Sequence, residues 1–304
     1  MSALRRQFIA PVSFGLGDLV VSLPVVQAAV TAGGRSGTET WLVARSPSQA
    51  ALAERVSGLA GTVAEGDVAT RLPEALIDLR DHPLQRDYWW GSPEFAAAYG
   101  PLSINEIIAR IGADLGVVGD FSAPVPLGFR DRPDAEGLVL LVAEADGTAK
   151  RWAPERWVEL AAALGRRGLD VAVVTRGEGG NALVDHGLAE LVAATPGEAV
   201  DVLSACRAVI GIDTGLTHIA AQQGTPTVTL SRTPAVYFRD WHHTRLVTGS
   251  GCDPVCQRAE EEYAYHQLVA LGPDHPAPRV CPAQSACLNA IEPGTVLKTL
   301  GELC

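Results

Sequence analysis

The apolar positions of this chain fall into short runs separated by stretches of helical length, with Gly, Pro, Asp and Ser between them. A bounded run of about four to eight apolar residues is the size of a strand buried on both faces. On that pattern strands are predicted at 8–12, 40–45, 75–79, 138–143, 171–175, 208–212 and 227–230, with a short one at 246–247. Helices are predicted at 18–30, 49–56, 154–164, 216–223 and 291–303, and from a capping box at Ser103-Ile-Asn-Glu106 to residue 115. Pro154 suits a first helical turn. Strands alternating with helices imply an α/β protein.

The stretch 207–230 is the most informative. An apolar strand is followed by Asp213 and Thr214, both N-cap types, then Gly215 and a helix that Gly224 stops. The unit points a helix N-terminus outward from the carboxyl end of a parallel strand, where α/β sheets bind ligands and free N–H groups favour anions. A diphosphate held by the backbone of Thr214 and Gly215, the Thr214 hydroxyl and His218 is the functional reading; an ordinary capped helix is the plain one.

Composition narrows the classes. At 304 residues the chain suits two domains, each with its own core. The segment 119–136 is rich in Pro, Gly and Asp without helical period. The expected division is an N-terminal domain at 1–122, a linker at 123–136 and a C-terminal domain at 137–304. A net charge of −11 argues against a nucleic-acid partner. Arg5-Arg6 precede an apolar region as in a signal peptide, but Asp18 and several glycines interrupt it, so a cytoplasmic protein without a transmembrane segment is expected. Gly15-Leu-Gly17 is half a dinucleotide fingerprint, with Val20 where the third glycine would stand, which argues against NAD.

Asp213-Thr-Gly-Leu-Thr-His218-Ile-Ala, followed by Gly224-Thr-Pro226 and an apolar strand, resembles the signature of the heptosyltransferases, the GT-B glycosyltransferases of family 9. Two further segments resemble that family in the same order: Gly17-Asp18 with Leu23-Pro24 near the start, and Lys150-Arg-Trp with Trp157 after the linker. The resemblance implies two Rossmann-like domains facing a cleft, ADP-heptose as donor, and inversion at its anomeric carbon. It implies Asp18 as catalytic base, where the residues alone read equally as a helix N-terminal carboxylate. Lys150 would contact the phosphates; a surface lysine is the alternative, although only Lys150 and Lys298 occur in the chain. Glu178, in Gly177-Glu178-Gly179, matches a ribose-binding carboxylate, or else a solvent-facing turn. No Asp-x-Asp metal motif is present, so no cofactor is expected for catalysis if Lys150, His218 and the helix N-terminus carry the leaving-group charge.

Two surrounding regions add candidates. Trp89 and Trp90, in a loop with Arg80 and Arg86, suit an acceptor or sugar site, as do Gly17 and Arg232; loop aromatics packing on their own domain would look the same. That loop also resembles one in enzymes that heptosylate autotransporter adhesins, a branch with a four-cysteine iron site. Cys252, Cys256, Cys281 and Cys287 pair closely across a 24-residue loop and could hold a structural Zn or Fe, or form a Cys-rich tail without metal. Cys206 and Cys304 read as bystanders. The expected partners are thus ADP-heptose and an acceptor hydroxyl on a protein Ser or Thr or a lipopolysaccharide-type glycan. A sugar-nucleotide epimerase or hydrolase, or a non-catalytic binding subunit of the same fold, are the alternatives.

Overall fold

The structure is a computed structural model and describes residues 5–68, 75–86, 102–145, 150–231, 241–249 and 285–303. The described residues divide into two units that part between Gly128 and Phe129.

In the first unit β1 (Arg5–Ala10), β2 (Thr38–Ala44), β3 (Gly61–Ala64) and β4 (Leu76–Asp78) form a parallel sheet in the order β3-β2-β1-β4. Helices α1 (Leu16–Ser36), α2 (Pro47–Ala53), α3 (Glu65–Val68), α4 (Pro83–Arg86) and α5 (Ile104–Asp114) connect or flank the strands. The chain runs from β1 outward through β2 to β3, then returns to the other side of β1 as β4. The carboxyl end of β1 is therefore where the strand order reverses, and α1 starts there.

Helix α1 has 21 residues and a mean hydropathy of 1.5 over its most apolar window, so by length and composition it could cross a membrane. Its apolar character has a packing cause: 61% of that window is buried, with Leu19, Leu23, Val25 and Val26 wholly enclosed. The helix starts at Leu16, two residues earlier than the pattern predicts, because Gly15 takes the N-cap and Asp18 becomes the third residue of the first turn. In α5 the predicted capping box is present, with Ser103 Oγ accepting from Glu106 N and the Glu106 carboxylate accepting from Ser103 N.

The second unit holds β5 (Val139–Val142), β6 (Val171–Thr175), β7 (Ala189–Val192), β8 (Ala208–Ile212), β9 (Thr227–Ser231) and β10 (Thr244–Thr248). All pair in parallel, in the order β10-β9-β8-β5-β6-β7. The order reverses between β5 and β8. Helices α6 (Pro154–Gly165), α7 (Ala182–Asp185), α8 (Pro196–Ala205), α9 (Gly215–Gln222), α10 (Ala286–Asn289) and α11 (Pro293–Leu300) complete the unit. One sheet face, with Leu141, Val173, Ile210, Val228 and Leu230, packs against Trp157, Leu160, Leu164, Val296 and Leu300. Strands β6 and β8 have the predicted bounds. The predicted 291–303 helix is the shorter α11, which starts at Pro293 because proline suits a first helical turn, and α10 precedes the predicted span.

No helix or strand lies between α5 and β5. Gly128 N donates to Arg55 O at 2.8 Å in the first unit, and Arg130 N donates to Asp201 Oδ1 at 2.7 Å in the second.

Candidate functional site

In the second unit the site is built at the reversal of strand order, the position where open α/β sheets bind ligands. Asp213 follows β8 directly, Thr214 is the N-cap of α9, and Lys150 comes from the segment between β5 and α6. The helix can begin so close to the strand because residue 211 is glycine. A Cβ there would stand 2.3 Å from Thr217 Oγ1 and 3.0 Å from Val142 Cβ. Thr217 Oγ1 in turn donates to Ile212 O at 2.6 Å, tying the first turn of α9 to the strand end.

The Asp213 carboxylate is the centre of the cluster. Lys150 Nζ donates to Asp213 Oδ2 at 2.8 Å and to Asp213 O at 3.2 Å, while His218 Nε2 lies 3.1 Å from Asp213 Oδ1. Burial works to raise the Asp213 carboxyl, but the Lys150 ammonium, then the hydrogen bond from His218, hold it well below the usual carboxylate range. The group is therefore ionised at neutral pH and keeps two nitrogen donors beside the start of α9. The Lys150 side chain remains 40% exposed, so this pair orients the cation more than it stabilises the fold. Thr214 makes no side-chain cap, and its hydroxyl is buried without a hydrogen-bond partner among the described residues. Two nitrogen donors, one unspent hydroxyl and a helix N-terminus thus converge, an arrangement suited to a multiply charged anion.

Of the predicted donor-site residues, Lys150, Asp213, Thr214, Gly215 and His218 are brought together. Glu178 is not: it is exposed in the turn after β6 and makes no hydrogen bond to the cluster. Glu144, two residues after β5, accepts instead from Asn181 Nδ2 at 2.7 Å, which caps α7.

In the first unit Asp18 and Gly17 lie in the first turn of α1. Gly15 N donates to Asp18 Oδ2 at 2.8 Å, and a Cβ on residue 15 would come within 2.7 Å of that oxygen and displace the carboxylate. Asp18 O accepts from Ser22 Oγ at 2.6 Å, and the same hydroxyl accepts from Val12 N at 3.2 Å. The carboxylate thus has the helix-terminal bond that the sequence allowed, on the turn that the resemblance assigns to the base.

Trp89, Trp90, Arg232, Cys252, Cys256 and Cys281 lie outside the described residues. Cys287 is buried, and a Cβ on Gly249, three positions before Cys252, would collide with its carbonyl. Among the described residues no group of three or more His, Cys, Asp or Glu could hold a metal. Cys206 is buried and burial pushes its thiol up to about 12, so it is inert.

No curated protein sequence matches the chain. Solved structures do. A family 9 glycosyl transferase from Veillonella parvula aligns with a TM-score of 0.66 at 14% identity, over 98% of this chain and 97% of that one. The iron-containing dodecameric glycosyltransferase TibC from enterotoxigenic E. coli aligns at 0.65 and 20% identity, over 98% and 76%. The ADP-heptose lipopolysaccharide heptosyltransferase II of E. coli aligns at 0.59 and 18%, over 98% of both chains. Two parallel-sheet units and these likenesses define the class: this is a GT-B glycosyltransferase fold. Residues 128–264 match the sequence model of glycosyltransferase family 9 (heptosyltransferase), and that span contains the whole Lys150–Asp213–His218 cluster.

Proposed function

We propose that the protein is an inverting glycosyltransferase that moves a heptose from ADP-heptose to an acceptor hydroxyl. The observation that carries this reading is the Asp213 carboxylate holding Lys150 and His218 at the start of α9, beside the unspent Thr214 hydroxyl, within the family 9 segment. In the reaction the acceptor oxygen attacks the anomeric carbon and its proton passes to the Asp18 carboxylate. The bond from that carbon to the diphosphate oxygen breaks, and ADP leaves with both electrons. Lys150, His218 and the N–H groups of Thr214 and Gly215 stabilise the charge that builds on the diphosphate. A single displacement inverts the anomeric centre. The acceptor hydroxyl belongs to a protein Ser or Thr or to a lipopolysaccharide-type glycan. The four tail cysteines would hold a structural ion and leave no coordination position for substrate.

The deciding experiment incubates the protein with labelled ADP-heptose alone, with a deacylated lipopolysaccharide core, and with Ser/Thr-containing peptides. Label on an acceptor, with one ADP released per sugar, is expected. Free sugar or an isomerised nucleotide sugar, formed equally well without acceptor, overturns the reading in favour of a hydrolase or epimerase.

A further inference from the structure

Helix α2 opens with Ser46-Pro-Ser-Gln49, a spacing in which the Gln side chain ordinarily reaches back to the N-cap amide. Half of that pattern is kept, since Ser46 Oγ accepts from Gln49 N at 3.3 Å. The Gln49 amide is used elsewhere. Gln49 is fully buried, at 0% exposure. Its Nε2 donates to Ser13 O at 2.8 Å and to Gly15 O at 2.9 Å, and its Oε1 accepts from Arg45 N at 3.0 Å. Between those two carbonyls, Phe14 O accepts from Ser46 Oγ at 3.0 Å. Three consecutive carbonyls of the turn that presents Asp18 therefore end on two side chains of α2. The Arg45 guanidinium also lies over the Phe14 ring, 5.9 Å from its centroid.

Both amide hydrogens of a fully buried glutamine are thus spent on a loop 34 to 36 residues away in sequence. Local capping does not need that geometry, and helix packing would be served by an apolar side chain. What the arrangement fixes is the backbone from Ser13 to Gly15. Gly15 N then fixes Asp18 Oδ2. We propose that Gln49, assisted by Ser46, is a positioning residue for Asp18: it sets where the turn, and hence the carboxylate, stands at the carboxyl end of β1. The inference rests on the reading of Asp18 as the base, and names what holds that base in place.

The test compares wild type, Gln49→Glu, Ser46→Ala and Asp18→Asn by three measurements: heptose transfer to whichever acceptor is labelled in the panel above, ADP affinity by calorimetry, and hydrogen exchange of peptides spanning 12–22 and 208–222. Gln49→Glu keeps the size and the acceptor for Arg45 N but removes the donor to both carbonyls. It is expected to lower kcat by roughly 10- to 100-fold, the cost of a small misplacement of a reacting group. ADP affinity should stay unchanged, and exchange should rise in 12–22 but not in 208–222. Ser46→Ala removes only the Phe14 bond and the cap. It should lower kcat by roughly threefold or more in the same manner, and it carries the test should Gln49→Glu not fold. Native kcat in Gln49→Glu with Asp18→Asn inactive overturns the positioning role alone. A native rate in Asp18→Asn overturns the base reading and the inference together. Unchanged exchange in 12–22 also overturns the inference, whatever the acceptor panel gives.

Discussion

Lys150 and His218 reach one carboxylate through different oxygens, Lys150 on Oδ2 and His218 on Oδ1 of Asp213. Each is a donor of the kind whose removal from a charge-stabilising site costs roughly 10²–10³ in rate. Lys150→Ala and His218→Ala are therefore expected to lower kcat by that order at saturating donor; a near-native kcat in either would remove that residue from the leaving-group side. Asp18→Asn keeps shape and hydrogen bonding while removing the proton acceptor. A loss on the order of 10²–10⁴ in turnover is expected, with ADP affinity little changed in calorimetry. A variant that loses only affinity would move Asp18 to the binding residues. The grouping of Lys150 with residues 213–218 was legible in the sequence because four of the five residues are nearly contiguous, and the fifth is one of two lysines in the chain. Gln49 was not, since its partners are distant in sequence and Ser-x-x-Gln reads as a local cap.

Strands β6 and β8 were read at their observed bounds because each is central, and a central parallel strand is an unbroken apolar run. The pattern missed β3 and β7, and both are edge strands. β3 has no fully buried residue and β7 has one, Leu191, so neither carries a period. The pattern also gives no helix at α8, although Thr195 and Glu198 form its capping box and Pro196 opens it. The junction of β8 with α9 offers the sharpest test of an element's placement. Gly211→Ala would put a methyl within 2.3 Å of Thr217 Oγ1, against a strand and a helix that cannot both yield. A loss of about 1–3 kcal/mol is expected, the usual cost of overpacking. Urea unfolding would measure it, and ADP affinity should fall with it, because the first turn of α9 has to shift. Native affinity and stability together would mean that the junction gives way freely.

The two parallel sheets were legible as a pair from the chain's length and its strand–helix alternation, and the Lys150–Asp213–His218 cluster and Asp18 each lie at the strand-order reversal of one sheet. The tail was legible only as a cysteine pattern. Cys287 is buried and its backbone lies against Gly249, while Cys252, Cys256 and Cys281 lie outside the described residues. We predict one Zn or Fe per chain by elemental analysis of protein purified without a metal-affinity tag. Substantially less than one, with four titratable thiols, would sink the metal reading.

The connection at Phe129 has a mechanical meaning. One residue before it, Gly128 is bonded through both its N–H and its carbonyl to Arg55, and one residue after it Arg130 N is held by Asp201. The backbone left free between these ties is that of about three residues, with two soft dihedrals at each. The 24 residues between α5 and β5 look in sequence like slack cord, yet around the exposed Phe129 their backbone is tied down on either side.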